Sequence, residues 1–176
     1  DAPNTCSGCH RPHEGTIRLN RCEDCHEDVE EAEDVLLIRT EEEGVTGVDY
    51  DGDGSATEPI RDEIGTMEEA LYAAIVKYAA ETAGTPIVYN ASAHPYWYID
   101  TNGNGVADPE ESIRDNRYVT WTPNLLRAAY NYQYSQKDPG DFAHNPDYIM
   151  QILVDSIAAV GGDVSAYTRP EVAKSE

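Results

Sequence analysis

Basic residues are scarce: 12 Lys and Arg stand against 34 Asp and Glu, a formal charge of −22. A surface with that balance repels polyanions, which argues against nucleic acid or an acidic membrane surface and in favour of cations as partners. Long hydrophobic runs are missing as well. Nothing approaches the roughly 18 to 20 apolar residues that span a bilayer, so no membrane span is expected. Hydrophobic residues make up 40% of the chain and charged ones 26%, so the core is modest and reinforcement by a cofactor or metal is expected. Low-complexity segments are absent and strand signals are sparse, with one short strand predicted around 86–89. The first residue is Asp1 rather than Met, as expected of a chain from which an export signal has been removed.

Cysteine is limited to four residues, and all four fall in two copies of one pattern, Cys6-Ser-Gly-Cys9-His10 and Cys22-Glu-Asp-Cys25-His26. Cys-x-x-Cys-His is the attachment pattern of c-type haem, in which two thiols add to the vinyl groups and the adjacent histidine reaches the iron. A four-cysteine zinc site and a pair of disulfides compete with that reading. Zinc has no need of a histidine after both pairs, so the duplication points to two haems, with His10 and His26 as proximal ligands.

Two haems have four axial positions, and the chain has five histidines. His13, His94 and His144 remain for the distal faces. The two methionines, Met67 and Met150, lie on stretches of helical apolar spacing and are expected in the core. Bis-histidine coordination follows, and closed six-coordinate iron passes electrons rather than binding substrate. His13 is only three residues from His10, so the two cannot grip one iron from opposite faces. It is expected to serve the haem on Cys22 and Cys25 or one on a neighbouring subunit. His144 precedes Asn145-Pro146, an N-cap and first-turn proline that open a helix and would hold the ligand rigidly. His94 precedes Pro95-Tyr96-Trp97-Tyr98, aromatics that either wall a haem edge or form a core cluster with a histidine at its rim.

Two acidic loops choose among cations. Asp100-Thr-Asn102-Gly-Asn104-Gly-Val106-Ala-Asp108-Pro-Glu-Glu111 matches the calcium loop D-x-[DN]-x-[DN]-G-x5-E. Asp100, Asn102, Asn104, Val106 through its carbonyl, Asp108 and Glu111 occupy the ligand positions. The earlier loop starts equally well with Asp49, Asp51, Asp53 and Ser55, but Ile60 stands at its twelfth position. Its closing carboxylate must come from elsewhere, with Glu63 favoured over Glu58. One or two calcium ions would brace long connections rather than carry a signal.

The expected layout is a single domain over 1–176, mainly α and loop-rich: a small helical domain wrapped around two covalently attached haems. Residues 1–30 form the haem-attachment segment, 31–162 the helical and calcium-loop body, and 163–176 an extended tail packed against something, another copy of the chain being the candidate. Helices are predicted near 29–40, 66–82 with Thr66-Met-Glu-Glu69 as its capping box, 123–136 behind Thr122-Pro123, and 146–160.

These motifs, with Lys137-Asp-Pro-Gly-Asp-Phe-Ala-His144-Asn-Pro-Asp-Tyr148, resemble those of exported bacterial or archaeal multihaem c-type cytochromes. The resemblance implies that His13 ligates another haem and that His144 supplies a distal ligand. It also implies an extracellular or cell-surface location, with the periplasm as the alternative. Two haems make a short wire, so long-range conduction would need stacking against neighbours, as in a subunit of an extracellular cytochrome filament. The expected function is electron transfer to other redox proteins or along copies of the chain itself, not enzymatic catalysis. Two rivals remain: a haem peroxidase or small-molecule reductase with one open iron face, and a calcium-dependent interaction module with structural haem.

Overall fold

The computed structural model describes residues 5–24, 26–39 and 47–171. Cys25 lies outside the described residues, as do 1–4, 40–46 and the end of the tail at 172–176.

The longest helix follows from one apolar stripe. Ile64, Met67, Leu71 and Ile75 recur at three- and four-residue spacing and all are at most 2% exposed. Each such side chain contributes about 1.5–3 kcal/mol on burial. The helix they line, α3, spans Ile60–Tyr78, continues through a wider turn of i→i+5 type at Ala79–Ala83 and stops at Gly84, whose φ of 77° a side chain would disfavour. The expected start at Thr66 is corrected. The chain enters the helix from Pro59, and Thr66 lies in its second turn. Ile64 extends the buried stripe toward the N-terminus, and this burial overrides the local capping pattern.

Two further helices start where their caps predict. Thr122 Oγ1 accepts the Leu125 N–H at 3.2 Å and opens α4, Pro123–Lys137. Asn145 Oδ1 accepts the Tyr148 N–H at 3.3 Å and opens α6, Pro146–Ala159. Proline at the first helical position loses no intrahelical bond, which suits both starts. α3, α4 and α6 pack on one another. Leu125, Ala128 and Ala129 of α4 meet Ile149, Met150, Leu153 and Ile157 of α6 in one core with the α3 stripe. Both methionines are buried there.

A short antiparallel hairpin closes this core. β3, Ile87–Tyr89, pairs with β4, Trp97–Ile99, with Val88 opposite Tyr98. Trp97, Tyr72, Tyr89 and Tyr132 form a ring cluster on it, the Tyr89 and Trp97 centroids lying 4.7 Å apart. The aromatics after His94 are therefore core, and His94 itself stands exposed at the rim.

The N-terminal segment is slighter. Cys6–Cys9 (α1) and Asn20–Glu23 (α2) are single helical turns without buried residues, joined through a ladder of β1, His10–Arg11, and β2, Thr16–Ile17. The helix expected near 29–40 is only a 3-10 turn at Asp34–Leu37 among the described residues. The Asp34 carboxylate accepts the Glu30 and Glu31 backbone N–H groups at 2.9 and 2.8 Å, a local side-chain bond that competes with helix over 29–34. The tail packs back on its own chain: the Thr168 N–H donates to the Tyr50 carbonyl at 2.9 Å, and Arg169 forks onto Asp155 at 2.7 and 2.8 Å. No described helix is long and apolar enough to cross a membrane.

Candidate cofactor and cation sites

Cys6 and Cys9 share one exposed turn and are unbridged, as is the half-buried Cys22. A three-residue interval on a helical turn puts both side chains on the same side, as attachment to one flat group requires. Burial pushes the Cys22 thiol pKa up, and the nearby Cys9 and Glu23 add to the shift. The Arg18 N–H donates to the Cys9 carbonyl at 2.7 Å, folding the second motif back on the first. His26 follows the second pair, with its backbone N–H on the Cys22 carbonyl at 2.8 Å.

The histidines divide into three settings. His13 is exposed in the turn between β1 and β2, beside Arg11, Glu14 and Arg18. His94 is exposed and meets the Tyr96 ring edge-on, with centroids 5.6 Å apart. His144 ends the short helix α5, Asp141–His144, and its ring centroid lies 6.2 Å from that of His10, at the opposite end of the sequence. Sequence reasoning had not paired these two.

Two residues that sequence reasoning missed set the His144 ring. Its Nδ1 lies 3.0 and 2.9 Å from the two Asp138 carboxylate oxygens. A carboxylate only accepts, so Nδ1 carries a proton, and in the neutral ring that makes Nε2 the nitrogen with the lone pair. Burial opposes ionisation of Asp138, but hydrogen bonds from His144 and the Gly140 N–H outweigh it and hold the carboxyl below its usual range. Gly140 is the second: a Cβ there would lie 2.9 Å from Cε1 of His144. Both lie in the 137–148 stretch that carries the family resemblance, but nothing in its spacing assigned either a role.

The two acidic loops fold alike. The first residue of each loop accepts two backbone N–H groups, Asp49 from Gly52 and Gly54 at 2.6 and 2.9 Å, Asp100 from Gly103 and Gly105 at 2.7 and 2.9 Å. Asp51 and Asn102 accept from Asp53 and Asn104 at 3.0 and 2.9 Å. Asp53 and Asn104 accept from Ser55 and Val106 at 2.6 and 2.7 Å. The closing glutamates also correspond. Glu111 Oε1 accepts from Thr101 and Asn102 at 2.6 and 3.1 Å, and Glu63 Oε2 accepts from Tyr50 and Asp51 at 2.7 and 2.9 Å.

Glu63 therefore occupies in the first loop the position of Glu111 in the second, although it comes three residues later in the count. Arg39 holds it from behind, Nη1 to Oε1 at 2.6 Å, while also reaching the carbonyls of Glu58 and Val48. Arg39 is a further contributor that the sequence did not reveal. Carboxylate oxygens of Asp49, Asp51 and Glu63 lie within 4.8 Å of one another, and so do those of Asp51, Asp53 and Glu58. Asp51 Oδ2, Glu58 Oε1 and Glu111 Oε2 are buried without a hydrogen-bond partner. Burial pushes Asp51 and Glu58 above the usual carboxylate range, and surrounding carboxylates push the same way. In the second loop, Asp108 Oδ2 accepts the side-chain amides of Asn102 and Asn104, both at 2.9 Å. Buried anionic oxygens left unpaired cost free energy that a hard cation would recover.

Among known proteins, the chain is 37% identical over 98 residues to the C-type polyheme cytochrome OmcC of Geobacter sulfurreducens. It is 36% identical over the same length to the C-type polyheme cytochrome OmcB of two strains of that organism. Each alignment covers 51% of this chain and 13% of the relative, so the chain spans only a small part of the curated relatives it matches. No family model matches, and no solved structure matches.

Proposed function

We propose that the chain is an electron carrier built on two c-type haems, one attached through Cys6 and Cys9 with His10 as proximal ligand, the other through Cys22 and Cys25 with His26. The observation that carries this reading is the duplicated Cys-x-x-Cys-His pattern on adjacent turns, in a chain similar over half its length to polyheme cytochromes. The haem supplies the one-electron chemistry. The protein's part is to hold the two attachment turns side by side, close the iron with His13, His94 and His144, and place acidic surface around the site.

Calcium at the two Asp/Gly loops braces the body. Its support is the shared hydrogen-bond pattern of the loops and the orphaned buried oxygens of Asp51, Glu58 and Glu111. The loops connect to the load they stabilise: the first leads into α3 and carries the tail, and the second follows β4. Asp49, Asp51, Asp53, Ser55 and Glu63 are the ligands of the first ion, with Glu58 beside them. Asp100, Asn102, Asn104, Val106, Asp108 and Glu111 are those of the second.

In this reading the protein works outside the cytoplasm, where haem attachment and calcium are both supplied, and exchanges electrons with other redox proteins or with copies of itself in a haem file. Absorption and EPR spectra of the purified holoprotein test it. Two low-spin haems per chain with reversible reduction support the carrier. One five-coordinate, high-spin iron would instead favour a peroxidase or small-molecule reductase. Electron microscopy of native material separates filaments from single molecules.

A further inference from the structure

His10 and His144 come together from opposite ends of the chain, at a separation with chemical meaning. An imidazole nitrogen sits about 2 Å from a bound metal. Two imidazoles on opposite faces of one iron thus have ring centroids about 6 Å apart, given the further ~1 Å from each nitrogen to its ring centre. The observed separation is 6.2 Å. His13 is too close to His10 in sequence to share its iron, and His94 sits against Tyr96 at the hairpin turn.

The geometry points to His144 as the second axial ligand of the haem carried on Cys6, Cys9 and His10, with Asp138 as its positioning residue and Gly140 as the bare surface beneath its ring. This pairing rests on the bis-histidine reading above. Three features support it. Asp138 accepts the Nδ1–H hydrogen bond with both carboxylate oxygens, which orients the ring and presents Nε2 for binding, as metal-ligating histidines usually require. Gly140 donates its N–H to the same Asp138 at 3.0 Å, so turn, carboxylate and ring form one unit. Asn145 then caps α6 directly behind the ligand, anchoring it to the helical core.

The pairing has a structural consequence. α1 and α2 bury no residues of their own, so a haem gripped by His10 and His144 ties the attachment segment to α5 and α6. The first haem acts as a crosslink between the two ends of the chain.

The test uses the holoprotein and its variants, read by EPR, carbon monoxide binding and redox titration. H144A is expected to turn one of two low-spin haems high-spin and open it to carbon monoxide, with the other unchanged. In a C6S/C9S background, which keeps only the second haem, the same substitution is expected to change nothing. H144M should remain six-coordinate and raise the potential of one haem, which checks that the site still folds. D138A should weaken the ligand, giving partial carbon monoxide binding at that haem and a shifted potential, and D138E should restore most of the original spectrum. G140A should resemble D138A, because its Cβ displaces the ring.

A high-spin second haem in the C6S/C9S/H144A protein would overturn the pairing and assign His144 to the other iron. So would an H144A protein in which both haems stay low-spin. D138A with unaltered spectrum and potential would remove the positioning role. A wild-type protein that is already partly high-spin is a different result, since it fails the bis-histidine reading itself, and the pairing falls with it.

Discussion

Glu63 Oε2 accepts the backbone N–H of Asp51 at 2.9 Å, from twelve residues further along the chain and from inside the first turn of a helix. Glu111 makes the equivalent bond to Asn102 in the second loop at 3.1 Å. The first loop thus recruits its closing carboxylate from α3, whose burial makes that carboxylate rigid.

Replacing either glutamate tests the loops as calcium sites. Calcium titration by calorimetry should show E111Q weakening one site by about 10-fold or more, since the closing carboxylate is the bidentate ligand in loops of this kind. E63Q should do the same to the other site. It should also cost on the order of 3 kcal/mol in unfolding, because it removes one partner of the buried ion pair with Arg39. Unaltered calcium isotherms in both variants would dismiss the loops as cation sites.

Gly52 joins the first loop to the tail. Its φ is +77°, and a Cβ there would collide with the Ala166 carbonyl. G52A should destabilise the protein by about 1 kcal/mol or more and expose 163–171 to limited proteolysis. Calcium removal with a chelator should produce a milder form of the same cleavage pattern. Equal protease resistance in wild type and G52A would mean that the tail does not depend on the loop.

The core stripe of α3 sets the stability of the body. Leu71 is fully buried, and L71A should lose about 2–5 kcal/mol in urea unfolding through lost transfer energy and the cavity left behind. Exposed Leu126 on α4 is the control: L126A should stay within about 0.5 kcal/mol of wild type.

Acid should stabilise the α3–α4 groove. Burial raises the pKa of Glu68 and of Asp141, with hydrogen bonds from Ser135 opposing the shift in both. A raised folded-state pKa means that the folded chain binds the proton more tightly than the unfolded one. The stability from this pair is present in full below the ordinary carboxylate value of about 4 and is lost as pH rises through the raised folded values. Urea unfolding at about pH 7 and about pH 4.5 should show E68Q and D141N gaining relative to wild type at the higher pH and losing that advantage at the lower. A pH-independent difference would contradict this.

Much of this molecule was legible because its signals are local. Thr122-Pro123 and Asn145-Pro146 carry cap and first-turn residues side by side, and the helices start there. The loop beginning at Asp100 contains every oxygen it uses within twelve residues. Thr66-Met-Glu-Glu69 was equally local and misled, because Ile64 gains more from burial than a cap at Thr66 would supply.

What the sequence by itself determined is the chemistry: paired thiols with an adjacent histidine, oxygens at calcium-loop spacing, helices with apolar stripes and a surface of −22 formal charge. Only the tertiary structure decided which distant groups meet. His10 finds His144, Asp138 orients that ring, Arg39 latches Glu63 and the tail returns to Gly52. Those contacts join residues far apart in the chain, where the packing of α3, α4 and α6 sets the geometry and no spacing rule reaches.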